Sequence, residues 1–316
     1  MIEIIRPGLL TTVQDGGRRG YQGFGVPVCG AMDWQALAAA NILAGNDWEE
    51  AALEITAMGP AIRFCCDAVF ALCGADFSAT LNGVRLLPCG AFLAHEGDLL
   101  EMGAAKEGFR SYLAVSGGFA VPMFLSSRST CLSAHFGGFN GRALQKGDKI
   151  TLREPQLWLR NLTGRLAPEV IKQDRPVRVV LGPQHEVFSE EGLETFFASD
   201  YKIGMQSDRM GCRMEGPAVI LREGASPNIL SDGVAMGSIQ VPNGQPIVMM
   251  ADRQTTGGYV KLGGVITADL PLLAQKRPGD TVRFACVTVA EAHTALRQAK
   301  RKLRALEAEL NRGDLW

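Results

Sequence analysis

The sequence predicts a mainly β protein made of two similar β-rich domains and a C-terminal amphipathic helix. Three observations support this fold class. Short apolar segments alternate with glycine-rich turns, and the 316-residue chain contains 37 glycines. Two parts of the chain echo each other, and a long helical stripe occurs near the C-terminal end. Many short strands broken by Gly and Pro are typical of barrels and sandwiches and disfavour a βαβ fold.

Seven short apolar runs are predicted to be β-strands, because each is rich in apolar residues and bounded by turn residues. They fall on both sides of a polar stretch at 161–174, which we interpret as a linker between the domains. The seven runs are Ala61–Phe64, Val69–Cys73, Tyr112–Val115, Val177–Leu181, Ala218–Leu221, Ile247–Met250 and Thr281–Phe284.

A weak internal repeat supports two similar domains. The sequence GPAIRF at 59–64 is echoed by GPAVIL at 216–221. Gly-Asp turns followed by alternating apolar residues occur at 97–98, 147–148 and 279–280. We therefore predict an N-terminal domain at 1–168, a C-terminal domain at 175–287 and a helix at 288–312.

Two short helices are predicted inside the domains. Asp33 suits the N-cap of a helix over 33–44, and Gly45 suits the left-handed residue that follows it. Ser189 suits the start of a second helix over 189–198, whose first turn holds two acidic residues.

The tail has the clearest periodicity in the chain. Apolar side chains recur there at spacings of three and four, and most other positions are charged, which indicates a helix with one apolar face. Two interpretations stay open. The helix lies across its own domain, or it packs against a partner or a second copy of the chain and gives a homo-oligomer. The stripe comprises Val289, Ala292, Leu296, Ala299, Leu303, Leu306 and Leu310.

Composition excludes several classes of protein. The 32 Lys and Arg are balanced by 33 Asp and Glu, so the charge does not favour binding to nucleic acid or to an anionic membrane. No run approaches the ~20 apolar residues of a membrane span. The N-terminal residues lack the features of a signal peptide, so we expect a cytoplasmic protein. The eight cysteines are scattered without zinc-ligand spacing, which predicts reduced thiols and no metal site.

Four glycine-rich segments carry polar side chains in the manner of sites built on loops. The first spans 11–33 and holds Gln14, Asp15 and Arg18. Glycine amides beside an arginine suit a carboxylate or a phosphate. The alternative is an ordered loop whose polar groups cap neighbouring strands. The segment lacks the Gly-Lys-Ser/Thr ending of a P-loop.

The other three segments lie in the second half of the chain. Segment 206–215 holds Arg209 and Arg213 near two acids, which suits either an ion-pair network or an anion clamp. Segment 240–245 is an Asn-Gly turn flanked by two glutamines. Segment 251–259 contains a Gly-Gly pair whose amides could hold an oxyanion. The candidate binding residues of the last two segments are Gln240, Gln245, Gln254, Thr255, Thr256, Gly257 and Gly258.

Strong catalytic groups are scarce in this sequence. The four histidines stand in no recognisable catalytic spacing with acids or serines, and no neighbouring group clearly activates the thiol of Cys29. The candidate bases are therefore the aspartates of the polar segments. We single out Asp15 and Asp252 as the predicted catalytic residues, with Asp33 and Asp208 as further candidates.

Five long motifs cover these segments and their surroundings. They are TTVQDGGRRGYQGFGVPVCGAMD at 11–33, ALEITAMGP at 52–60, SRSTCLSAHFGGFNGRALQKGD at 127–148, SDRMGCRMEGP at 207–217 and GSIQVPNGQPIVMMADRQTTGGY at 237–259. Together they resemble the KipA / allophanate hydrolase subunit 2 family, also labelled the biotin-dependent carboxyltransferase domain. The resemblance runs from about residue 4 to residue 284.

The resemblance implies both a fold and an activity. The family fold is two tandem cyclophilin-like β-barrel domains, consistent with the internal repeat. The implied activity is that of an ATP-dependent 5-oxoprolinase, which would open 5-oxoproline to L-glutamate with ATP hydrolysis. The implied partners are a KipI-like protein and a LamB/YcsF-like protein as the two other subunits, with ATP bound by this chain or by a partner. Such a site needs arginines and amide donors more than a nucleophile.

Two other functions are compatible with the resemblance. One is the carboxyltransferase component of a biotin-dependent urea carboxylase-like enzyme. Because the chain has no Ala-Met-Lys-Met biotin-carrier motif, no covalent biotin is expected on it, and a biotinylated partner would be required. The other is a KipA-type regulatory binding protein that antagonises a kinase inhibitor. Cys29 stands where the family more often has a small or hydroxyl residue, which argues against a cysteine mechanism.

Overall fold

The computed structural model of the chain describes residues 1–155, 162–168 and 175–312. These residues form two compact units. Both consist mainly of β-strands, and a long helix occupies the C-terminal segment, which confirms the predicted fold class. The domain bounds inferred from sequence and the cyclophilin-like character stay predictions. Unit 1 takes in the described residues of Met1–Arg18, Cys29–Lys172 and Lys300–Trp316, and unit 2 those of Arg19–Val28 and Gln173–Ala299.

Unit 1 contains eleven described strands and one short helix. They are β1 (Ile2–Arg6), β2 (Leu10–Gln14), α1 (Trp34–Leu43), β3 (Ala52–Thr56), β4 (Ala61–Phe64), β5 (Ala68–Asp76), β6 (Thr80–Leu81), β7 (Val84–Arg85), β8 (Gly90–Ala94), β9 (Leu99–Glu101), β10 (Glu107–Val115) and β11 (Lys149–Ile150). A six-stranded sheet has the order β11-β1-β4-β9-β6-β7, and a five-stranded sheet has the order β2-β3-β10-β5-β8.

The inner faces of both sheets of unit 1 meet in one apolar core. Ile4 and Phe64 of the six-stranded sheet belong to the same buried cluster as Phe70 and Leu113 of the five-stranded sheet, so the unit is a nearly closed barrel. Alternate residues of β5 and β10, such as Tyr112, belong to a second cluster with α1. Because β5 is buried on both faces, its sequence is apolar almost throughout, and the same holds for the second half of β10, from Tyr112 to Val115.

Unit 2 is built on one large sheet. Its elements are β12 (Val177–Leu181), α2 (Glu190–Ala198), β13 (Tyr201–Ile203), β14 (Gly211–Glu215), β15 (Asn228–Gly233), β16 (Ser238–Gln240), β17 (Ile247–Met249), β18 (Thr256–Tyr259), β19 (Lys261–Val265), α3 (Leu270–Ala274), β20 (Thr281–Val282) and β21 (Phe284–Cys286). The eight-stranded sheet has the order β20-β13-β14-β17-β16-β19-β12-β21, while β15 and β18 form a separate two-stranded ribbon.

The predicted helices begin where their capping residues place them. The Asp33 side chain accepts hydrogen bonds from two amides in the first turn of α1, and Gly45 follows the helix with a φ of 71°. The Ser189 hydroxyl accepts a hydrogen bond from a first-turn amide of α2. Both caps satisfy donors that a helix start leaves free.

A buried carboxylate fixes the start of α3 against the sheet of unit 2. Asp269 is fully buried, and Arg175 donates to it at 2.6 Å through two nitrogens. Arg178, in β12, donates to the same carboxylate at 2.7 and 2.9 Å. Burial raises the pKa of Asp269, but the hydrogen bonds from Arg178 and Arg175 outweigh it, so the pKa lies below its usual value.

The apolar stripe of the C-terminal helix α4 (Val289–Arg312) packs against this chain itself. Ala295 belongs to a small buried cluster with Ile266 and Ala268 of unit 2. Leu303 is buried in the cluster of unit 1 that contains α1. These contacts favour the interpretation in which the helix lies on its own chain; a homo-oligomer formed through the helix stays a prediction.

The predicted strand Ala218–Leu221 is wrong. Within this segment only Leu221 forms an isolated bridge. The backbone groups of Val219 and Ile220 hydrogen-bond to neighbouring loops instead of to a strand. The segment at 59–64, which it echoes in sequence, does contain a strand, β4. An apolar run becomes a strand only where another strand is available to pair with it.

The predicted linker at 161–174 is in part structured. Its described residues, 162–168, run beside β8, where the backbones of Arg165 and Ala167 bond to the strand and to the residue before it. Leu162 is fully buried. The rest of the predicted linker lies outside the described residues.

Candidate functional site

Three of the four predicted polar segments meet in one cleft of unit 2. The cleft has a volume of ≈ 290 Å³ and takes residues from β14, β16, β17, β18 and the loops next to them. It brings together parts of segments 206–215, 240–245 and 251–259. Its lining residues are Asp208, Met210, Gly211, Arg213, Gln240, Pro242, Ile247, Met249, Gln254 and Tyr259.

Gln240 is the most buried polar side chain of the cleft, at 2% exposure. Gln254 Nε2 donates to Gln240 Oε1 at 3.4 Å, while Gln240 Nε2 has no hydrogen-bond partner within the described part of the chain. Gly257 lies beside this amide, and a Cβ there would stand 2.5 Å from Gln240 Nε2. Because the φ of Gly257 lies outside the left-handed region, the glycine leaves space for the amide and does not serve a backbone turn.

The lining of the cleft carries one cation and one anion. The backbone of Arg213 is hydrogen-bonded, but its exposed guanidinium has no partner among the residues that the structure describes. Asp208 Oδ1 accepts hydrogen bonds from the Met210 and Gly211 amides at 2.8 and 3.1 Å. Arg213 is therefore the group in the cleft that suits an anionic ligand.

Asp252, one of the two predicted catalytic residues, is paired with Arg209. Their side chains are 5% and 4% exposed, with Nε–Oδ2 and Nη2–Oδ1 distances of 3.0 and 2.9 Å. Neither residue is in the cleft lining. The pair joins the loop before β14 to the loop after β17, which both supply cleft residues. This geometry favours a structural role, and a catalytic role for Asp252 stays a prediction.

Asp15, the other predicted catalytic residue, anchors a loop of unit 1. Its carboxylate accepts hydrogen bonds from the Ser127 and Ser129 hydroxyls at 2.7 and 2.5 Å. The Gly17 and Arg128 amides donate to it at 2.8 and 2.5 Å. These contacts favour the interpretation of segment 11–33 as an ordered loop whose polar groups satisfy its neighbours. Catalysis by Asp15 stays a prediction.

Gln14 and Arg18 are also buried inside unit 1. Arg18 has no exposed surface, donates to the Phe124 and Ser129 carbonyls, and stands 4.8 Å from the ring centre of Phe136. Gln14 has no exposed surface either and donates to a hydroxyl and a carbonyl. Within unit 1 the two side chains stabilise the loop through these contacts, and neither is exposed to solvent.

The remaining predicted residues of unit 2 stand outside the cleft lining. Gln245 is exposed and donates to the Gly216 carbonyl at 3.4 Å. Thr255 precedes the ribbon, and Thr256 and Gly258 lie in its strand β18.

Sequence reasoning missed the apolar part of the cleft and its aromatic residue. Tyr259 directly follows the Gly-Gly pair, which is a signal that could have included it. Met210, Pro242, Ile247 and Met249 carry no signal of their own, because apolar residues near turns are common in any β protein.

The ribbon that carries Gly257 is held by an ion pair. In the register of β15 and β18, Asp232 stands opposite Gly257. Lys261 Nζ donates to Asp232 Oδ2 at 2.7 Å and to the Gly233 carbonyl at 3.0 Å. The hydrogen bond from Lys261, followed by that from the Gly233 amide, holds the pKa of Asp232 below its usual value.

In residues 1–155, 162–168 and 175–312, no group of three or more His, Cys, Asp or Glu side chains could hold a metal ion. No helix in this described part is long and apolar enough to cross a membrane. None of the eight cysteines, all of which lie in the described residues, forms a disulfide.

Comparison with known proteins identifies relatives along nearly the whole chain. A family model described as "Carboxyltransferase domain, subdomain A and B" matches residues 24–286. The C subunit of 5-oxoprolinase from Escherichia coli (strain K12) is 38% identical over 95% of this chain and 96% of its own length. The corresponding Haemophilus influenzae protein is also 38% identical, over 92% and 93%. The crystal structure of Kluyveromyces lactis urea carboxylase matches with a TM-score of 0.87 at 31% identity, over 96% of this chain and 29% of that chain.

Proposed function

Since this chain belongs to the family of carboxyltransferase domains with subdomains A and B, we propose that it is a subunit of an ATP-dependent 5-oxoprolinase that opens 5-oxoproline to L-glutamate. The two bacterial 5-oxoprolinase proteins support this proposal, because the chain matches them along nearly their full length. The observation that carries it in the structure is the unit 2 cleft. The Gln240 amide nitrogen and the Arg213 guanidinium, which have no partner in the described residues, suit a small amide that bears a carboxylate.

The proposed reaction explains why ATP is needed. A lactam carbonyl is a poor electrophile, because amide resonance stabilises it. Transfer of the γ-phosphoryl group to the lactam oxygen makes that oxygen a leaving group. Water then attacks the carbon and the ring C–N bond breaks, which leaves γ-glutamyl phosphate. A second water molecule hydrolyses this acyl phosphate and releases phosphate, so that 5-oxoproline, ATP and two water molecules give L-glutamate, ADP and phosphate.

The cleft itself does not fit ATP. Its one acidic and one basic lining residue give a formal charge of zero, whereas a triphosphate needs several cations or a divalent metal. The sequence also lacks a P-loop ending. We therefore assign ATP to a partner protein. In this proposal the partners are a KipI-like protein and a LamB/YcsF-like protein, in the cytoplasm.

A second function is favoured by the likeness to urea carboxylase. That structure matches 96% of this chain at a TM-score of 0.87. As a carboxyltransferase component, the chain would need a partner that carries biotin, because it has no biotin-carrier motif of its own.

Reconstitution distinguishes these functions. The full chain is purified alone and together with the two proposed partners, and 5-oxoproline-dependent release of glutamate and ADP is measured. We expect equal amounts of both products from the complete complex, and none when ATP or either partner is omitted. A complex that assembles but releases no glutamate contradicts the proposal. Urea-dependent incorporation of labelled bicarbonate with a biotinylated partner would support the second function instead.

A further inference from the structure

The open end of the Gln240 carboxamide is the most specific feature of the cleft. Buried amide groups nearly always find hydrogen-bond partners, because an unpaired one has lost its hydration without compensation. Gln240 is 2% exposed, and Gln254 binds one end of its amide while the other end has no partner in the described residues. Turning the amide by 180° exchanges its oxygen and nitrogen but still leaves one end open. A ligand in the cleft is the available partner.

The backbone next to this amide leaves the space that its unpaired end occupies. At Gly257 a Cβ would approach Gln240 Nε2 to 2.5 Å and Gln254 Nε2 to 3.4 Å. Any side chain at this position would therefore displace the Gln240 amide. The Lys261–Asp232 ion pair holds the ribbon that places Gly257 there.

The other lining groups define the remaining parts of a ligand. Arg213 offers an exposed guanidinium that no described side chain engages. Apolar side chains, among them Ile247 and Met249, supply a surface for a small aliphatic ring. A volume of ≈ 290 Å³ is ample for a five-membered ring with one substituent.

We propose that Gln240 recognises the cis-amide edge of the substrate and that Arg213 recognises its carboxylate. The proposal rests on the proposed function for the identity of the substrate, and it specifies which groups of the lactam this chain binds. Gln240 Nε2 would donate to the lactam carbonyl. Gln240 Oε1, which has a second lone pair, would accept from the lactam N–H.

Only a cis amide can make both of these hydrogen bonds at once. An ordinary peptide bond is trans and directs its N–H and C=O to opposite sides, whereas a five-membered ring forces them to the same side. Urea presents the same edge without a carboxylate. Gln240 would thus serve lactams and ureas alike, and Arg213 would select the lactam acid.

Binding to the reconstituted complex, measured by calorimetry without ATP, tests this assignment. The ligands are 5-oxoproline, 2-pyrrolidinone, which lacks the carboxylate, and N-methyl-5-oxoproline, which lacks the N–H. The variants are Gly257→Ala and Arg213→Gln. Gly233→Ala is the matched control, because Gly233 lies in the same ribbon and a Cβ there meets nothing within 4 Å.

We expect Gly257→Ala to raise the Kd of both 5-oxoproline and 2-pyrrolidinone by about tenfold or more, since it disturbs the shared amide contact. Arg213→Gln should raise the Kd of 5-oxoproline by about tenfold and leave that of 2-pyrrolidinone unchanged. N-methylation should weaken binding to the wild type, and Gly233→Ala should bind all three ligands as the wild type does.

Three results would overturn the assignment: unchanged binding in Gly257→Ala, equal weakening of both lactams by Arg213→Gln, or no lactam binding by the wild type. The ratio of the two Kd values is unaffected by partial unfolding, so Arg213→Gln alone decides if Gly257→Ala fails to fold. Glutamate release by the wild-type complex is measured in parallel. If glutamate is released but neither variant alters binding, the assignment fails and the proposed function stands. If the selectivity pattern appears without glutamate release, the proposed function fails and the assignment stands.

Discussion

Replacing Asp252 by Asn separates a structural role of this carboxylate from a catalytic one. The side chain lies 5% exposed and makes two hydrogen bonds to Arg209, which is itself 4% exposed. Removing one partner of a buried ion pair leaves the other charge uncompensated, at a cost of about 3–5 kcal/mol. At about 2–4 °C per kcal/mol for a unit of this size, the thermal midpoint of unit 2 should fall by about 6–20 °C.

The assay is thermal and urea unfolding of the full chain, followed by glutamate release from the reconstituted complex. A double variant, Arg209→Met with Asp252→Leu, removes both charges and should regain most of the lost stability, because well-packed apolar residues can replace a buried ion pair. If Asp252→Asn unfolds like the wild type while the turnover of its complex collapses, the structural assignment is refuted and Asp252 acts as the catalytic base that the sequence predicts.

Three further substitutions test other parts of the structure. Asp269 has a folded pKa below its unfolded value, so its contribution to stability is complete above about pH 4 and is lost as the pH falls through the folded pKa. Asp269→Asn should therefore lower the stability at pH 7 and weaken the loss of stability in acid, measured by a fluorescence titration with pH. An unchanged loss of stability in acid would contradict this. Leu303→Ala should lower the unfolding free energy of unit 1 by about 2–5 kcal/mol in urea titrations, whereas Arg304→Ala, at an exposed position, should change it little. If both variants lower it equally, Leu303 is not packed in the core of unit 1. Asp15→Asn removes a charged acceptor of four hydrogen bonds, so it should cost about 2–3 kcal/mol and speed limited proteolysis at the 127–129 loop, and wild-type protection there would argue for a chemical role.

The helices could be predicted from sequence because their determinants are local. Asp33 and Ser189 each cap a helix through amides only two or three residues away. The stripe of α4 likewise depends on positions within a few turns of one another. For such elements the relevant contacts and the relevant sequence window coincide.

Strand prediction succeeded only where a pairing partner exists. The runs Ala61–Phe64 and Val177–Leu181 form β4 and β12 with the predicted bounds. The run Ala218–Leu221 has a similar composition, but its backbone bonds to loops, so it is not a strand. Whether a partner strand is present depends on topology, which a short window of sequence does not contain.

The residue types of the candidate site could be predicted, but their division of labour could not. Arg209 and Arg213 stand four residues apart in one polar segment, and yet they do different things. Arg209 forms an ion pair with Asp252, which is 43 residues away, so the sequence near either residue does not predict the pair. Arg213 is exposed between the buried residues Cys212 and Met214 of β14. This alternation of apolar and charged residues, typical of a strand, could have identified Arg213 as a cation that faces solvent.

The glycine excess serves two physical needs, and they have different consequences. Gly45 and Gly244 have φ values of 71° and 78°, so a side chain there strains the backbone and lowers the stability of the fold. Gly257 has no such φ, and the nearest atom to a Cβ there is the flexible end of Gln240. A flexible side chain moves more easily than the backbone does, so the substitution should displace the Gln240 amide and leave the fold intact. A glycine therefore belongs to the binding site when its replacement changes affinity while the unfolding free energy stays constant, and this is the outcome that we expect at Gly257.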